Sequence, residues 1–344
     1  MNFTSDNSYG AWPEMVAAVG AAAAGAVPSY GDDALTAKVR ARLCELFERE
    51  LAAFPVISGT AANALALATL VPPHGAIFCH GESHIAVDEC GAPEFFTHGA
   101  KLVTLEGGDA KLVPETLERA LSHFHKGFVH HVQPAALSIT QSTELGTVYQ
   151  PGEIAALSAL AHAHAMLVHM DGARFANALA SLKCTPAETT WRAGVDVMSF
   201  GATKNGALGA EAVIFFNPAE ARDFEYRRKK AGHLLSKMRF VSAQLDTYLK
   251  GTRWLERAAR ANALAEKLAE GLTGVAGAEL AHPVEANAVF TYLPDATVAR
   301  LRRHGAAFYD WAPPKGGRTL VRLVASFATP EEDVKRFLEV ANSE

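Results

Sequence analysis

The sequence predicts an α/β fold, in which a mostly parallel sheet is covered by helices and followed by a smaller C-terminal α+β domain. Short apolar runs alternate with segments of helical periodicity over most of the 344 residues, a pattern typical of a parallel sheet. From about Asp246 the pattern changes to longer helices and weaker strands. We therefore predict a large domain over residues 1–245, whose first few residues are an N-terminal arm, and a small domain over residues 246–344.

The helices of the large domain are predicted from apolar residues at helical spacing. In residues 33–54, for example, Leu35, Val39 and Leu43 recur on one face. The Ala-rich residues 15–27 are interpreted as a packed helix of small residues. Further helices of this domain are expected at residues 61–70, 114–121 and 151–163.

The strands are predicted from short apolar runs that are bounded by turn residues. In the large domain they are expected at residues 54–57, 76–79, 101–104, 128–132, 137–140, 166–170, 195–200 and 212–216. The last of these is predicted to be antiparallel, because only a short turn separates it from the preceding strand. In the small domain, strands are expected at residues 288–292 and 319–324, and helices at residues 252–271, 295–304 and 330–341.

The composition argues against several classes of function. A net charge of −5 provides no basic excess for binding nucleic acid. The Ala-rich segment contains two glycines and is shorter than the roughly 18 residues that a membrane span needs. The four cysteines are widely spaced, as is typical of reduced thiols, and the first residues do not resemble a signal peptide. We expect a cytoplasmic protein without a nucleic-acid or membrane partner.

Two predicted strands lead to charged side chains. Residues 167–170 are followed by Asp171, and residues 195–200 by a polar, Gly-flanked loop that holds Lys204. An open α/β sheet binds ligands at the carboxyl ends of its strands, where both side chains would lie. An Asp at a strand end is also common in turns, and a loop lysine is usually exposed. Together the two indicate pyridoxal phosphate (PLP), which bonds to a lysine amine and pairs its ring nitrogen with a carboxylate.

A phosphate site is predicted at Ser58–Gly59–Thr60, between an apolar strand and a helix. Free N–H groups and the helix dipole favour a phosphate there, and Gly59 allows a close approach of the backbone. The alternative is an ordinary N-cap by Ser58 or Thr60. Because Asp171 and Lys204 are also present, the phosphate site is favoured over the ordinary N-cap.

Histidines and one arginine complete the candidates. The fourteen histidines form no HExxH motif or His/Cys tetrad, so we expect no metal site. His84 follows a strand and a turn, where its ring would stack on a pyridine ring or remain a surface loop histidine. Arg322 lies in the apolar run 320–324 and needs an anion, for which a substrate carboxylate is a good bidentate candidate.

These residues, in this order, resemble the threonine aldolase/β-eliminating lyase family of PLP enzymes. The resemblance runs from Thr4 to Arg322 and is most specific at Asp171–Gly172–Ala173–Arg174 and Tyr30–Gly31–Asp32–Asp33. It implies the aspartate aminotransferase fold, fold type I, with a mostly parallel, seven-stranded-type sheet. One departure is Gln141–Ser142–Thr143–Glu144, which stands where many members have Glu-Asn-Thr-His and suggests a subgroup.

The resemblance also implies roles for individual residues. The catalytic set is expected to be Lys204, which forms the Schiff base, Asp171, His84 and His131. The residues expected to hold the cofactor are Ser58, Gly59, Thr60, His84, Asp171, Arg174, Thr203, Lys204 and Arg239. Substrate contacts are expected from Ser5, Tyr30, His131, Arg174 and Arg322. Tyr30 and Arg239 would come from a neighbouring subunit, which makes a homodimer the minimal active unit and a homotetramer the expected assembly.

We therefore predict a PLP-dependent aldolase that cleaves L-β-hydroxy-α-amino acids, such as L-threonine, L-allo-threonine or L-phenylserine, to glycine and an aldehyde. A histidine, His131 or His84, would take the β-hydroxyl proton. The nearest alternative is another fold type I reaction, β-elimination or transamination, because the electron sink is common to all of them. A non-catalytic binding or scaffold protein is disfavoured by the presence of Lys204 and Asp171.

Overall fold

The computed structural model describes residues 1–343 and contains two sheets. The large sheet has seven strands in the order β1-β7-β6-β5-β4-β2-β3. Its strands are β1 (Ala52–Val56), β2 (Gly75–His80), β3 (Lys101–Leu105), β4 (Gln133–Thr140), β5 (Leu167–Gly172), β6 (Val197–Gly201) and β7 (Glu211–Phe215). Only β7 is antiparallel to its neighbours, β1 and β6, so the predicted fold class and the antiparallel strand at residues 212–216 are confirmed.

Parallel pairing aligns the carboxyl ends of the central strands. Thr140 of β4 lies opposite Asp171 of β5, which in turn lies opposite Ser199 of β6. All five residues of β6 and all six of β2 are buried, as expected for strands covered on both faces. Side chains that follow these strands are therefore brought to one edge of the sheet.

Helices cover both faces of the large sheet. They are α1 (Pro13–Ala22), α2 (Ala34–Leu46), α3 (Gly59–Leu70), α4 (His84–Val87), α5 (Ala92–Phe96), α6 (Pro114–Leu121), α7 (Pro151–Ala163), α8 (Phe175–Leu182), α9 (Phe224–Lys230) and α10 (Arg239–Tyr248). The helix α3 is buried continuously from Ala61 to Ala68, because its alanines allow it to pack closely against the sheet. This burial fixes the start of α3 at the edge where Asp171 lies.

The small antiparallel sheet has four strands in the order β10-β11-β9-β8. Its strands are β8 (Glu279–Leu280), β9 (Ala288–Pro294), β10 (Tyr309–Asp310) and β11 (Arg318–Val324), and its helices are α11 (Arg253–Leu272), α12 (Asp295–Arg303) and α13 (Glu331–Asn342). The N-terminal arm joins it, since the Phe3 amide donates to the Ala307 carbonyl and the Val324 amide to the Phe3 carbonyl. The domain boundary predicted at 245/246 falls inside α10.

Three predicted elements are wrong. Residues 128–132 form turns, in which the His131 amide donates to the Phe128 carbonyl, and the strand begins only at Gln133. The helix predicted over residues 33–54 ends at Leu46, because Glu48 has a positive φ of 57°, and residues from Ala52 onward form β1. The Ala-rich helix predicted over residues 15–27 spans Pro13–Ala22 instead; it packs against α10, with Met15 as its one fully buried residue and five of its ten residues exposed. None of the described helices is both long and apolar enough to cross a membrane.

Candidate active site

One cleft at the carboxyl edge of the large sheet collects many of the predicted residues. It is lined by Gly59, Asn63, His84, Thr140, Ser142, Glu144, Asp171, Ala173, Arg174 and Lys204. Five of these were candidates from the sequence: Gly59, His84, Asp171, Arg174 and Lys204. The cleft is formed by the start of α3 and by the segments that follow β2, β4, β5 and β6.

Asp171 is held at the end of β5 by hydrogen bonds to both carboxylate oxygens. Its Oδ1 accepts from the Ala173 amide at 2.9 Å, and its Oδ2 accepts from Asn63 Nδ2 at 2.8 Å. Gly172 is required next, because a Cβ there would approach the Ser199 carbonyl oxygen to 2.8 Å. The carboxylate is only 4% exposed, so a cationic partner in the cleft would stabilise it.

Lys204 follows β6 in the 3-10 turn Thr203–Asn205, which is fixed on both sides. Asn205 Nδ2 donates to the Tyr248 hydroxyl at 2.9 Å, and Thr203 Oγ1 accepts from the Ala210 amide at 3.1 Å. Burial, reinforced by the Arg174 guanidinium, lowers the pKa of the Lys204 amine. A lowered pKa increases the neutral, nucleophilic fraction of a lysine.

A chain of hydrogen bonds through Glu89 and Asn63 connects His84 with Asp171. His84 Nδ1 lies 2.8 Å from Glu89 Oε1, which also accepts from Asn63 Nδ2 at 2.8 Å, and the same Asn63 amide reaches Asp171. The hydrogen bond with Glu89 raises the pKa of His84, whereas burial raises the pKa of Glu89. The imidazole is thereby oriented, and its charged form is favoured.

The start of α3 satisfies both interpretations of Ser58–Gly59–Thr60. Ser58 is the N-cap, and its side chain accepts from the Ala61 amide at 3.3 Å. The N–H groups of Gly59 and Thr60 belong to the first turn, which receives no hydrogen-bond partner from within the helix. A Cβ at Gly59 would meet nothing within 4 Å, so the space beside these N–H groups is open to an anion.

A second cleft, lined by Arg174 and Arg322 among others, adjoins the first. Asp6 binds Arg174 through two contacts, Nε to Oδ2 at 2.7 Å and Nη2 to Oδ1 at 3.0 Å. Arg322 donates through Nη2 to the Thr4 carbonyl at 3.3 Å, whereas its Nε is buried without a partner in the described chain. Arg322 therefore has donor capacity left for an anion, whereas Arg174 is already paired with the Asp6 carboxylate. Ser5 lies beside them as the N-cap of the turn Asp6–Ser8.

Seven predicted residues are not among those that line the two clefts. Ser5, Ser58, Thr60 and Thr203 are chain neighbours of residues at the clefts, whereas His131, Tyr30 and Arg239 lie away from them. His131 precedes β4, whose eight residues span about 26 Å, so it lies at the opposite edge of the sheet from Asp171. His131 therefore cannot act as the base in the cleft of its own subunit, and this expectation is corrected. Tyr30 is 44% exposed, and Arg239 donates to the Ala24 and Gly25 carbonyls on the surface. The role predicted for Tyr30 and Arg239 in the cleft of a neighbouring subunit therefore stays a prediction.

Sequence reasoning missed several polar residues of the site, namely Asp6, Asn63, Glu89, Glu144 and Glu211. Asn63 carried a signal, because it lies one helical turn after Gly59 and therefore on the same face of α3. Glu211 is buried at the start of β7 and accepts from the Ala202 amide at 3.1 Å. Burial raises the pKa of Glu211 to about 7, and the nearby Lys204 opposes this shift. Among these carboxylates, Asp6 and Glu211 act to raise the pKa of the Lys204 amine, against the larger effect of burial, which lowers it.

The residues present fit PLP. A buried amine of lowered pKa, a buried carboxylate at a strand end and the open start of a helix lie around one cleft. They match the aldehyde, the ring nitrogen and the phosphate of PLP, respectively. Among the described residues, no three His, Cys, Asp or Glu side chains converge on a point that would hold a metal ion.

Comparisons with known proteins agree with this geometry. Residues 2–296 match the family model described as beta-eliminating lyase. The low specificity L-threonine aldolase of Pseudomonas sp. is 43% identical over 97% of this chain and 94% of its own length, and that of Pseudomonas aeruginosa is 42% identical over 98% and 95%. The Leishmania major threonine aldolase structure superposes with a TM-score of 0.93 at 31% identity, covering 99% of this chain and 98% of that one. An aspartate aminotransferase from Rhodobacter sphaeroides shares the fold, with a TM-score of 0.74 at 19% identity over 99% of this chain and 92% of its own. The chain belongs to the beta-eliminating lyase family of PLP fold type I, alongside relatives named threonine aldolase.

Proposed function

We propose that this protein is a PLP-dependent aldolase that cleaves L-threonine and related L-β-hydroxy-α-amino acids to glycine and an aldehyde. The observation that carries the proposal is the single cleft in which Lys204, Asp171 and Gly59 meet, with Arg322 in the adjoining cleft. When bound, PLP supplies an aldehyde that combines with an amine and a ring that accommodates the electron pair of a broken bond at Cα.

The chain's own residues orient the cofactor and the substrate. The Lys204 amine, whose pKa burial lowers, would be the nucleophile that holds the cofactor. The Asp171 carboxylate would favour the protonated pyridine nitrogen, and the first N–H groups of α3 would bind the phosphate. The roles assigned to Ser58, Thr60, Thr203 and His84 are part of the same proposal.

The substrate carboxylate is proposed to bind in the second cleft. Arg322 carries the unpartnered Nε there, whereas Arg174 already shares its charge with Asp6. Anchoring the amine at Lys204 and the carboxylate at Arg322 fixes the orientation of Cα, so the bond to Cβ is presented to the remaining wall of the cleft. The preference for threonine or phenylserine depends on that wall.

We further propose that the active unit is a homodimer at minimum and a tetramer in full, in the cytoplasm. The exposed Tyr30 and the half-buried Arg239 would complete a neighbour's cleft, and His131 could contribute to a neighbour's cleft in the same way. The four cysteines are free in the structure, which suits a reducing compartment. Sedimentation of the holoenzyme tests the assembly, and a monomeric holoenzyme at full activity would contradict it.

The test of the reaction is the product formed from L-threonine. The aldolase releases acetaldehyde and glycine in equal amounts, whereas β-elimination releases ammonia and transamination produces neither. The family description of this chain makes β-elimination the alternative that the assay must separate. A panel of threonine, allo-threonine and phenylserine isomers then defines the substrate range. Ammonia without acetaldehyde would reject the aldolase.

A further inference from the structure

Glu144 occupies the boundary between the two clefts. It lines the cleft of Lys204 and Asp171 and also the cleft of Arg322. Any amino acid whose amine and carboxylate are held at those two places lies across this boundary. The position of Glu144 is therefore beside the bonds at Cα and Cβ.

One side of the Glu144 carboxylate is fixed by the protein. Its Oε1 accepts from the His84 amide at 2.8 Å and from Thr140 Oγ1 at 2.9 Å. Both of these bonds fall on the same oxygen, which leaves Oε2 for the clefts. Of the other carboxylates of the site, Asp6 pairs with Arg174, Glu89 pairs with His84, and Asp171 accepts a hydrogen bond at each of its oxygens. Glu211 lines neither cleft.

Building on the aldolase proposed above, we propose that Glu144 is the general base that takes the proton from the β-hydroxyl of the substrate. The hydroxyl O–H bond breaks toward Glu144 Oε2, the Cβ–O bond becomes a carbonyl, and the Cα–Cβ bond breaks. Its electron pair would stay with the glycine fragment, for which bound PLP would supply the electron sink. That fragment then takes a proton at Cα from solvent and Glu144 returns one to solvent, so no proton is gained or lost.

The protonation state of Glu144 suits this role better than that of His84. Burial raises the pKa of Glu144 to about 7, so about half of it is carboxylate at neutral pH. A base is most effective when its pKa lies near the working pH. The hydrogen bond with Glu89 favours the imidazolium form of His84, which cannot accept a proton.

The groups that surround Glu144 determine the pKa of its carboxyl group. The titratable or charged side chains that interact with it are His84, Asp171, Arg174, Cys79 and Tyr149. Burial is the largest cause of the raised pKa of Glu144. The Asp171 carboxylate raises this pKa further, and the hydrogen bond from Thr140 lowers it. Cleavage should therefore rise with pH through about 7, as the carboxylate forms.

The test compares Glu144→Gln with the wild-type holoenzyme, because a glutamine can still accept both hydrogen bonds at Oε1. We expect kcat/KM for L-threonine to fall by roughly 10²- to 10⁴-fold, and exchange of the glycine α-proton with solvent to change by less than about tenfold. Glycine has no hydroxyl, so exchange needs no such base. Exchange lost together with cleavage, or cleavage retained within about tenfold, would overturn the proposal.

Two further measurements do not depend on the activity of that variant. Infrared titration of the substrate-free holoenzyme should lose a carboxyl signal near pH 7 in Glu144→Gln and keep that of Glu211, whose pKa is also raised to about 7. In Thr140→Val, loss of the hydrogen bond should move the acidic limb of kcat/KM upward by roughly one pH unit. An unmoved limb or an unchanged infrared titration would contradict the assignment.

The exposed Glu82, two residues before His84, provides the matched control. Glu82→Gln removes a nearby carboxylate outside the clefts and should leave the pH profile unchanged. If wild-type enzyme releases no acetaldehyde from threonine, the proposed function itself fails. If wild-type enzyme cleaves threonine and Glu144→Gln does so equally well, only the role of Glu144 fails.

Discussion

Substitution of Arg322 by lysine removes the planar fork and keeps the positive charge. In the structure Nη2 of this arginine donates to the Thr4 carbonyl, and its guanidinium lies 5.3 Å and 5.0 Å from the ring centroids of Tyr309 and Trp311. Its Nε is buried without a partner among the described residues. A lysine ammonium is a compact point charge that cannot stack and donate along two directions at once. If Nε binds the substrate carboxylate, that contact is lost.

The size of the effect follows from the number of contacts. One hydrogen bond to a charged group contributes about 1.5–3 kcal/mol. Since about 1.36 kcal/mol corresponds to a tenfold change in rate, Arg322→Lys should lower kcat/KM for L-threonine by roughly 10- to 150-fold. The visible absorbance of the bound cofactor should not change, because Arg322 belongs to the second cleft.

The assay measures kcat/KM and the melting temperature on one preparation. Arg318→Lys is the matched control, because Arg318 lies on the same strand, is exposed, and pairs with Glu279 at 2.7 Å. An exposed pair contributes about 1 kcal/mol at most, so the control should keep its kinetics. Unchanged kinetics in Arg322→Lys, together with a lowered melting temperature, would refute the carboxylate role and make this arginine a structural residue.

Three further substitutions test the rest of the site. Lys204→Ala should leave no cofactor that borohydride can fix to the protein and should lower turnover by about 10³-fold or more; wild-type absorbance and activity would exclude this lysine. Asp171→Asn should slow the reaction by roughly 10²-fold while cofactor still binds, as measured by absorbance titration; a near-normal rate would remove its role. Gly206→Ala should lower the free energy of unfolding in urea by about 2 kcal/mol or more, because Gly206 has φ +111° and a Cβ there would overlap the Trp12 indole; an unchanged urea midpoint would contradict this.

The sequence predicted the residues whose position depends on strand periodicity. Asp171 directly follows a mostly apolar run and Lys204 comes four residues after another, and parallel pairing of such runs brings their ends together. The strand at residues 128–132 failed, because Val129 is 90% exposed on a turn and a short apolar run does not reveal whether it is buried. His131 was misplaced for the same reason, since its position depends on where β4 begins.

The residues that sequence reasoning missed depend on three-dimensional proximity. Glu144 follows β4 and is joined to His84, which follows β2, by a hydrogen bond between segments 60 positions apart. Asp6 reaches Arg174 across 168 positions, through an N-terminal arm that crosses to the second sheet. No local pattern encodes such pairs. A departure from the expected residues at Gln141–Ser142–Thr143–Glu144 was the one signal that this segment differs.

The charges of the site are distributed so that each cation has a different task. Arg174 is neutralised by Asp6, which leaves Arg322 as the arginine with donor capacity for a carboxylate. The hydrogen bond with Glu89 favours the protonated imidazolium of His84, which cannot accept a proton. The base must therefore be a group that is not paired with a cation. Glu144 is that group, since its hydrogen bonds come from neutral donors and fall on one oxygen, whereas Asp171 accepts at both oxygens. Among the described residues Glu211 is likewise unpaired with a cation, but it lines neither cleft, so Glu144 is the carboxylate placed to exchange a proton with the substrate.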